Sequence, residues 1–129
     1  MLRHDAPVSV LLVALGGAAG SVLRYAIGLA LARSTFPYAT LLVNGLGCLL
    51  IGLALPAWNR APILSESLRL GLVVGFLGGF TTFSAFGHET AVLLQVSPVR
   101  AVVNVLANVT IGLGAVLAGR AVAVRFFLP

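Results

Sequence analysis

Residues 75–89 read Gly75-Phe76-Leu77-Gly78-Gly79-Phe80-Thr81-Thr82-Phe83-Ser84-Ala85-Phe86-Gly87-His88-Glu89, and this stretch decides how the chain folds. It lies inside an apolar run from about Leu68 to Val96, long enough to cross a bilayer as a helix. Glycines, hydroxyls, phenylalanines and an acid at mid-span should interrupt that helix. Irregular backbone at membrane depth is tolerated only where protein buries it or where it lines a cavity. Freed carbonyls at such a break suit a cation, and the new N-terminal end of the second half-helix favours an anion.

The rest of the chain sets the same solvent. Of 129 residues, 60% are hydrophobic and 9% charged, and the mean hydropathy is +1.11. Soluble domains carry roughly 25% charged residues, so lipid must replace water around most of this chain. The length suits one domain, residues 1–129. All eight basic residues are arginines. The pI of 11.2 does not point to nucleic acid, because the arginines are unclustered and mostly sit where apolar runs end, as interfacial anchors do. Cys48 stands alone, which excludes an intrachain disulfide or a cysteine-based zinc site.

Three further spans are expected: about Val8 to Ala32, Tyr38 to Trp58 and Pro98 to Phe126. The second is entered through Pro37 and left through Asn59-Arg60-Ala61-Pro62. The chain is therefore all-α, an integral membrane protein of four transmembrane helices with a broken third. A cleaved signal peptide is a poor reading of the first, since apolar character continues past Arg24 and no soluble domain follows. Gly16/Gly20 and Gly71/Gly75/Gly79 are small-xxx-small patterns that let helix backbones approach in lipid. Four helices enclose little room for a pathway, which favours a dimer.

Several residues stand out chemically. Arg24, near the end of the first span, is either a snorkelling anchor or part of an electropositive vestibule. Asn44, Cys48 and Gly52 form one line in the second helix, and Asn104, Asn108 and Gly112 another in the fourth. Such asparagines bond neighbouring helices or form a polar track whose amide N–H groups serve a small anion. Thr81, Ser84 and His88 share one helical face, which points to a hydrated or hydrogen-bonding stripe, with back-bonding to helix carbonyls the duller use of the Thr81 and Ser84 hydroxyls. Glu89 suits a coupling carboxylate or a partner for an arginine. Phe76 and Phe80 read as core or lipid contacts. Phe83 and Phe86 flank Ser84, and their ring edges, which bear partial positive charge, could meet an anion weakly enough for it to leave. Metal catalysis, hydrolysis and nucleotide binding lack their residue sets, so no enzyme is indicated.

Gly16-Gly17-x-x-Gly20-x-x-x-Arg24-Tyr25, Thr40-Leu41-x-Val43-Asn44 and Gly75-Phe76-x-Gly78-Gly79-Phe80-Thr81-Thr82-Phe83-Ser84-x-Phe86 occur in this order. With them the chain resembles the Fluc-type (CrcB) fluoride channels along nearly its full length. The resemblance implies an antiparallel, dual-topology homodimer in a prokaryotic inner membrane. It implies passive fluoride export through two pores, each built from both subunits. On it, Phe83 and Phe86 present ring edges to fluoride, Asn44 donates a hydrogen bond beside them, and Ser84 matches the serine between them. Gly78 and Thr81 offer backbone carbonyls to a structural sodium ion on the dimer axis. Arg24 matches the vestibule arginine and Glu89 the acid beyond the phenylalanines. Ala85 replaces the usual threonine, which removes a hydroxyl. Asn104 and Asn108 join the fluoride pathway by helical spacing only.

Four spans put Arg3, Arg60, Arg69, Arg120 and Arg125 on one side of the membrane and Arg33 and Arg100, with Arg24, on the other. That bias, reduced if Arg69 and Arg120 lie within helices, leaves open a fixed-orientation heterodimer with a paralogue. Two rival functions remain. A four-helix proton-coupled antiporter resembles its relatives through an acid in the first helix, whereas Asp5 precedes the span here. A non-transporting assembly subunit needs no convergence of amides, hydroxyls and phenyl edges.

Overall fold

A computed structural model of the chain describes residues 6–60 and 65–127. The expected polar start Arg3-His4-Asp5 and the Ala61-Pro62 exit lie outside the described residues. Six α-helices and one π-helix follow in order, and no strand occurs among the described residues. They are α1 (Ala6–Ala30), α2 (Tyr38–Arg60), α3 (Glu66–Leu70), the π segment (Gly71–Leu77), α4 (Gly78–Phe80), α5 (Phe83–Val96) and α6 (Pro98–Phe127). Four spans are long and apolar enough to cross a membrane: Ala6–Ala30, Tyr38–Asn59, Glu66–Val96 and Pro98–Phe126.

Three of the helix starts have a local cause. Ser65 accepts the Leu68 N–H at 3.3 Å, capping α3. Thr82, extended at φ −154°, accepts the Ala85 N–H at 3.2 Å and caps α5. Pro98 occupies the first turn of α6, where its missing N–H costs no hydrogen bond.

The third crossing breaks at Thr81 and Thr82, where the sequence places it. α3, the π segment and α4 form a first half-helix over residues 66–80, and α5 forms the second half. The break changes one expectation: Thr81 lies before α5, so it shares no helical face with Ser84 and His88. Its hydroxyl instead donates to the Leu77 carbonyl at 2.9 Å, the local back-bond that threonine offers in apolar surroundings. The π segment was not anticipated. Its i→i+5 hydrogen bonding widens the helix just where glycines press it against α1.

Packing is by backbone. A Cβ on Gly16 would strike the Gly71 carbonyl, one on Gly20 the Phe76 carbonyl, and one on Gly79 the Gly17 carbonyl. The two glycine series therefore interlock α1 with the first half-helix, as the small-xxx-small spacing predicts. Gly20 is the sole buried residue of α1, whose apolar side chains turn outward. α2 and α6 pair in the same way: a Cβ on Gly52 would meet the Val116 backbone, and one on Gly119 the Leu49 carbonyl. The core is small, with Val43, Phe80, Ala101 and Ala123 nearly inaccessible. Large apolar side chains cover the outside, an arrangement stable in lipid and not in water.

Candidate functional site

The break frees backbone groups that a continuous helix would consume. Asn44, from the middle of α2, takes two of them. Its Oδ1 accepts the Thr82 N–H at 2.8 Å, and its Nδ2 donates to the Thr82 carbonyl at 3.1 Å. That N–H would otherwise have gone to the Gly78 carbonyl. Arg24 takes a third group: its Nε donates to the Gly79 carbonyl at 3.0 Å, with the Ser21 hydroxyl at 3.5 Å from the same oxygen. A cation at the C-terminal end of the first half-helix also opposes the negative pole of that helix. Sequence reasoning placed Arg24 by its charge and missed this cap, whose acceptor is a backbone atom.

The polar residues of α6 join behind Asn44. Its Nδ2 also donates to Asn108 Oδ1 at 3.2 Å. Asn108 Nδ2 donates to the Oδ1 and the backbone carbonyl of Asn104, both at 3.1 Å. Asn104 is 0% exposed and donates through Nδ2 to Thr90 Oγ1 at 2.8 Å. Thr90 in turn donates to the Phe86 carbonyl at 2.7 Å. Every amide here is satisfied, which buried polar groups require.

An open cavity of about 420 Å³ lies against this network. Asn44, Cys48, Gly78, Thr81, Phe83, Phe86 and Asn108 are among its lining residues. The rings of Phe83 and Phe86 stand 5.5 Å apart, tilted by 56°. Phe83 is 82% exposed in the single chain, an unusual position for a phenylalanine beside hydroxyls and amides. Phe80, by contrast, is 3% exposed and stacks on Phe76 at 5.8 Å, so this pair is core. Ser84 is exposed, and its hydroxyl lies 3.3 Å from that of Thr82.

A second cavity, of about 270 Å³, lies between Arg24 and Glu89 and is also lined by Tyr25, Thr40 and Thr82. Among the described residues, Glu89 pairs with no arginine. Its Oε1 accepts from the Thr40 hydroxyl at 2.8 Å, while its Oε2 is buried with no hydrogen-bond partner among the described residues. The one ion pair among the described residues joins Arg69 to Glu66 at 3.5 Å on the exposed first turn of α3. Asn44, Phe83, Phe86, Asn108, Gly78 and Thr81 thus meet at one cavity, and Arg24 and Glu89 at another. Asn104 lies behind the first and Ser84 beside it. No cluster of three or more histidine, cysteine or acidic side chains suited to a metal occurs among the described residues.

What the cavity offers a small anion is the phenyl rings of Phe83 and Phe86, whose edges bear partial positive charge, and the Ser84 hydroxyl beside them. Both Nδ2 hydrogens of Asn44 are already taken by Thr82 and Asn108. Known proteins place the chain in a family. A family model described as "CrcB-like protein, Camphor Resistance (CrcB)" matches residues 11–120. A protein of Geobacter sulfurreducens is 47% identical over 115 residues, covering 86% of this chain and 93% of its own length. One from Rhizobium johnstonii is 45% identical over 119 residues, covering 89% and 95%. One from Chloroflexus aurantiacus is 51% identical over 90 residues, covering 67% and 71%. Each of the three is named fluoride-specific ion channel FluC.

Proposed function

The chain belongs to the CrcB family, and from that membership we propose that it is a fluoride-selective channel that exports cytoplasmic fluoride by passive electrodiffusion. It is a multi-pass membrane protein and not an enzyme. The observation that carries the reading is the broken third crossing. It brings Phe83 and Phe86 into the lining of one cavity with Asn44 and Asn108, inside a membrane-length span. Fluoride is small and strongly hydrated, so a pore must replace its water with donors while avoiding one deep well.

The functional unit in this reading is an antiparallel dual-topology homodimer in a prokaryotic inner membrane, with two pores each completed by the partner. Phe83 and Gly78 are exposed in the single chain beside the open cavity, a surface that a second copy would close. Arg69 and Arg120 lie within helices, which reduces the arginine bias that would fix one orientation. A heterodimer with a paralogue is the alternative assembly. Phe83, Phe86, Ser84 and Asn108 line the fluoride path beside Asn44, and Arg24 and Glu89 act at its vestibule.

A structural sodium ion fits the chemistry of the break. The Gly78 carbonyl has lost its helical donor to Asn44, and Thr81 is extended at φ −86° and ψ 160°, outside the helix. Neutral oxygen donors of this kind suit a hard cation. Bound there, sodium would supply positive charge and fix the two breaks against each other; Gly78 and Thr81 would hold it.

The antiporter reading is not favoured, since the described first helix, Ala6–Ala30, has no acidic residue. Fluoride efflux from liposomes containing only this purified protein, with valinomycin and a potassium gradient, tests the channel reading. The expected result is rapid fluoride release at a constant external pH, without chloride release. No release from folded protein would overturn the homodimeric channel, and proton-dependent release would restore the antiporter.

A further inference from the structure

α5 bears both phenylalanines of the cavity, yet little apolar packing fixes how it is turned. Leu93 is its sole buried residue, Phe83 is 82% exposed, and Gly87 and His88 are exposed. Three interhelical polar contacts hold α5: Thr40 of α2 donates to Glu89 at 2.8 Å, and two others hold the side that meets the asparagine network. At its start, Asn44 of α2 grips both backbone groups of Thr82. Eight residues on, about two helical turns, Asn104 of α6 donates to Thr90 Oγ1 at 2.8 Å. A rod fixed at two such points cannot rotate about its axis.

The two points belong to one chain of donors running in one direction. Thr82 N–H donates to Asn44, Asn44 to Asn108, Asn108 to Asn104, Asn104 to Thr90, and Thr90 to the Phe86 carbonyl. Head-to-tail hydrogen bonds polarise one another and strengthen the series. The chain therefore begins and ends on the turn that carries Phe83 and Phe86, passing through two other helices on the way.

We propose that Asn104 and Thr90 are positioning residues, which set the rotation of α5 and hence the placement of the Phe83 and Phe86 rings from outside the fluoride path. Asn104 is wholly buried and is not among the residues that line the cavity. Its role differs from that of a pore donor: it acts on the ion only through the helix it turns. The inference rests on the channel reading above.

Single-channel fluoride currents in planar bilayers test it, because they separate the current of each channel from the number of active channels. Thr90→Val removes the hydroxyl at nearly constant shape, and Asn104→Ala removes the partner on the facing helix. Each should lower the unitary fluoride current by about fivefold or more, the scale of one buried hydrogen bond lost. Thr90→Ser, which keeps the hydroxyl, should restore the current to within about twofold. Wild-type unitary currents from fewer active channels would overturn the inference, as would recovery of both Thr90→Val and Asn104→Ala only as aggregate, since either result makes the pair a folding contact. Absence of fluoride current from the unaltered protein would instead sink the channel reading itself.

Discussion

Residues 66–80 and Phe83–Val96 share one membrane crossing, but the first half is seated by what its residues lack and the second by what they carry. In the first half, Gly71, Gly75 and Gly79 let the backbone lie directly on α1, with no room for a Cβ at any of them. In the second, Gly87 faces open space, and hydroxyl and amide groups hold the helix in place. Backbone contact gives a rigid seat with no chemistry on display. Polar clamps leave the rings of Phe83 and Phe86 free at a cavity, and they fix position through few bonds that single substitutions can cut. The comparison explains why the rings stand on the second half. A site that must meet and release an ion needs exposed side chains on a fixed backbone.

The contrast can be broken most severely at the glycine interface. Gly20→Val places branched atoms against the Phe76 carbonyl and the Phe80 N–H, neither of which can yield without moving the half-helix. The expected cost is about 3 kcal/mol or more, seen as loss of monodisperse protein after extraction. A stable, active Gly20→Val protein would mean that the backbone seat is not what holds the first half. Next comes Asn44→Leu, which strips the partners from both backbone groups of Thr82. A loss of about 2 kcal/mol in stability should accompany near-complete loss of fluoride flux, measured on the same preparation by thermal unfolding and efflux.

Phe83→Ile sharpens the comparison from the other side. Because Phe83 is mostly exposed in the single chain, folding stability of the chain should change by less than about 0.5 kcal/mol, and the apolar isoleucine should preserve the dimer that covers it. Fluoride flux should fall about tenfold, the order of energy carried by aromatic edge contacts. Normal flux in this variant would remove the phenylalanines from the path. The smallest effect belongs to Gly87→Ala. A Cβ there meets nothing within 4 Å and the backbone is helical, so helicity should gain about 0.5–1 kcal/mol. A clear drop in unfolding temperature would place another chain against that face.

Much of this was legible from residue types alone. Apolar runs bounded by arginines, prolines and polar turns define four spans, because lipid allows no other use of such runs. The glycine spacings foretell the α1 interface, and glycines followed by hydroxyls foretell the break. Less legible were contacts whose partner is backbone. Arg24 reads as a vestibule charge, while its Nε caps the Gly79 carbonyl. Glu89 invites an arginine, while Thr40 provides its hydrogen bond, since both lie beside one cavity. The stripe of Thr81, Ser84 and His88 does not form, because the helix breaks at Thr81 and Thr82 and leaves Thr81 outside α5. Asn104 and Asn108 share a line at i, i+4, but spacing cannot say that one lines a cavity and the other is buried behind it. Gly52, read only as one of a line with Asn44 and Cys48, seats α2 on α6, as does Gly119, not singled out from the sequence.

The π segment at Gly71–Leu77 has a consequence for how such a chain can change over generations. Each helical residue advances about 100° around the axis. Gain or loss of a single residue between Gly71 and Phe80 would swing Thr81 and Thr82 by that angle, away from Asn44 and out of line with Arg24. Apolar letters in the segment can drift freely on the faces that meet lipid. Its length cannot, because the wide turn sets the phase in which everything after it is read.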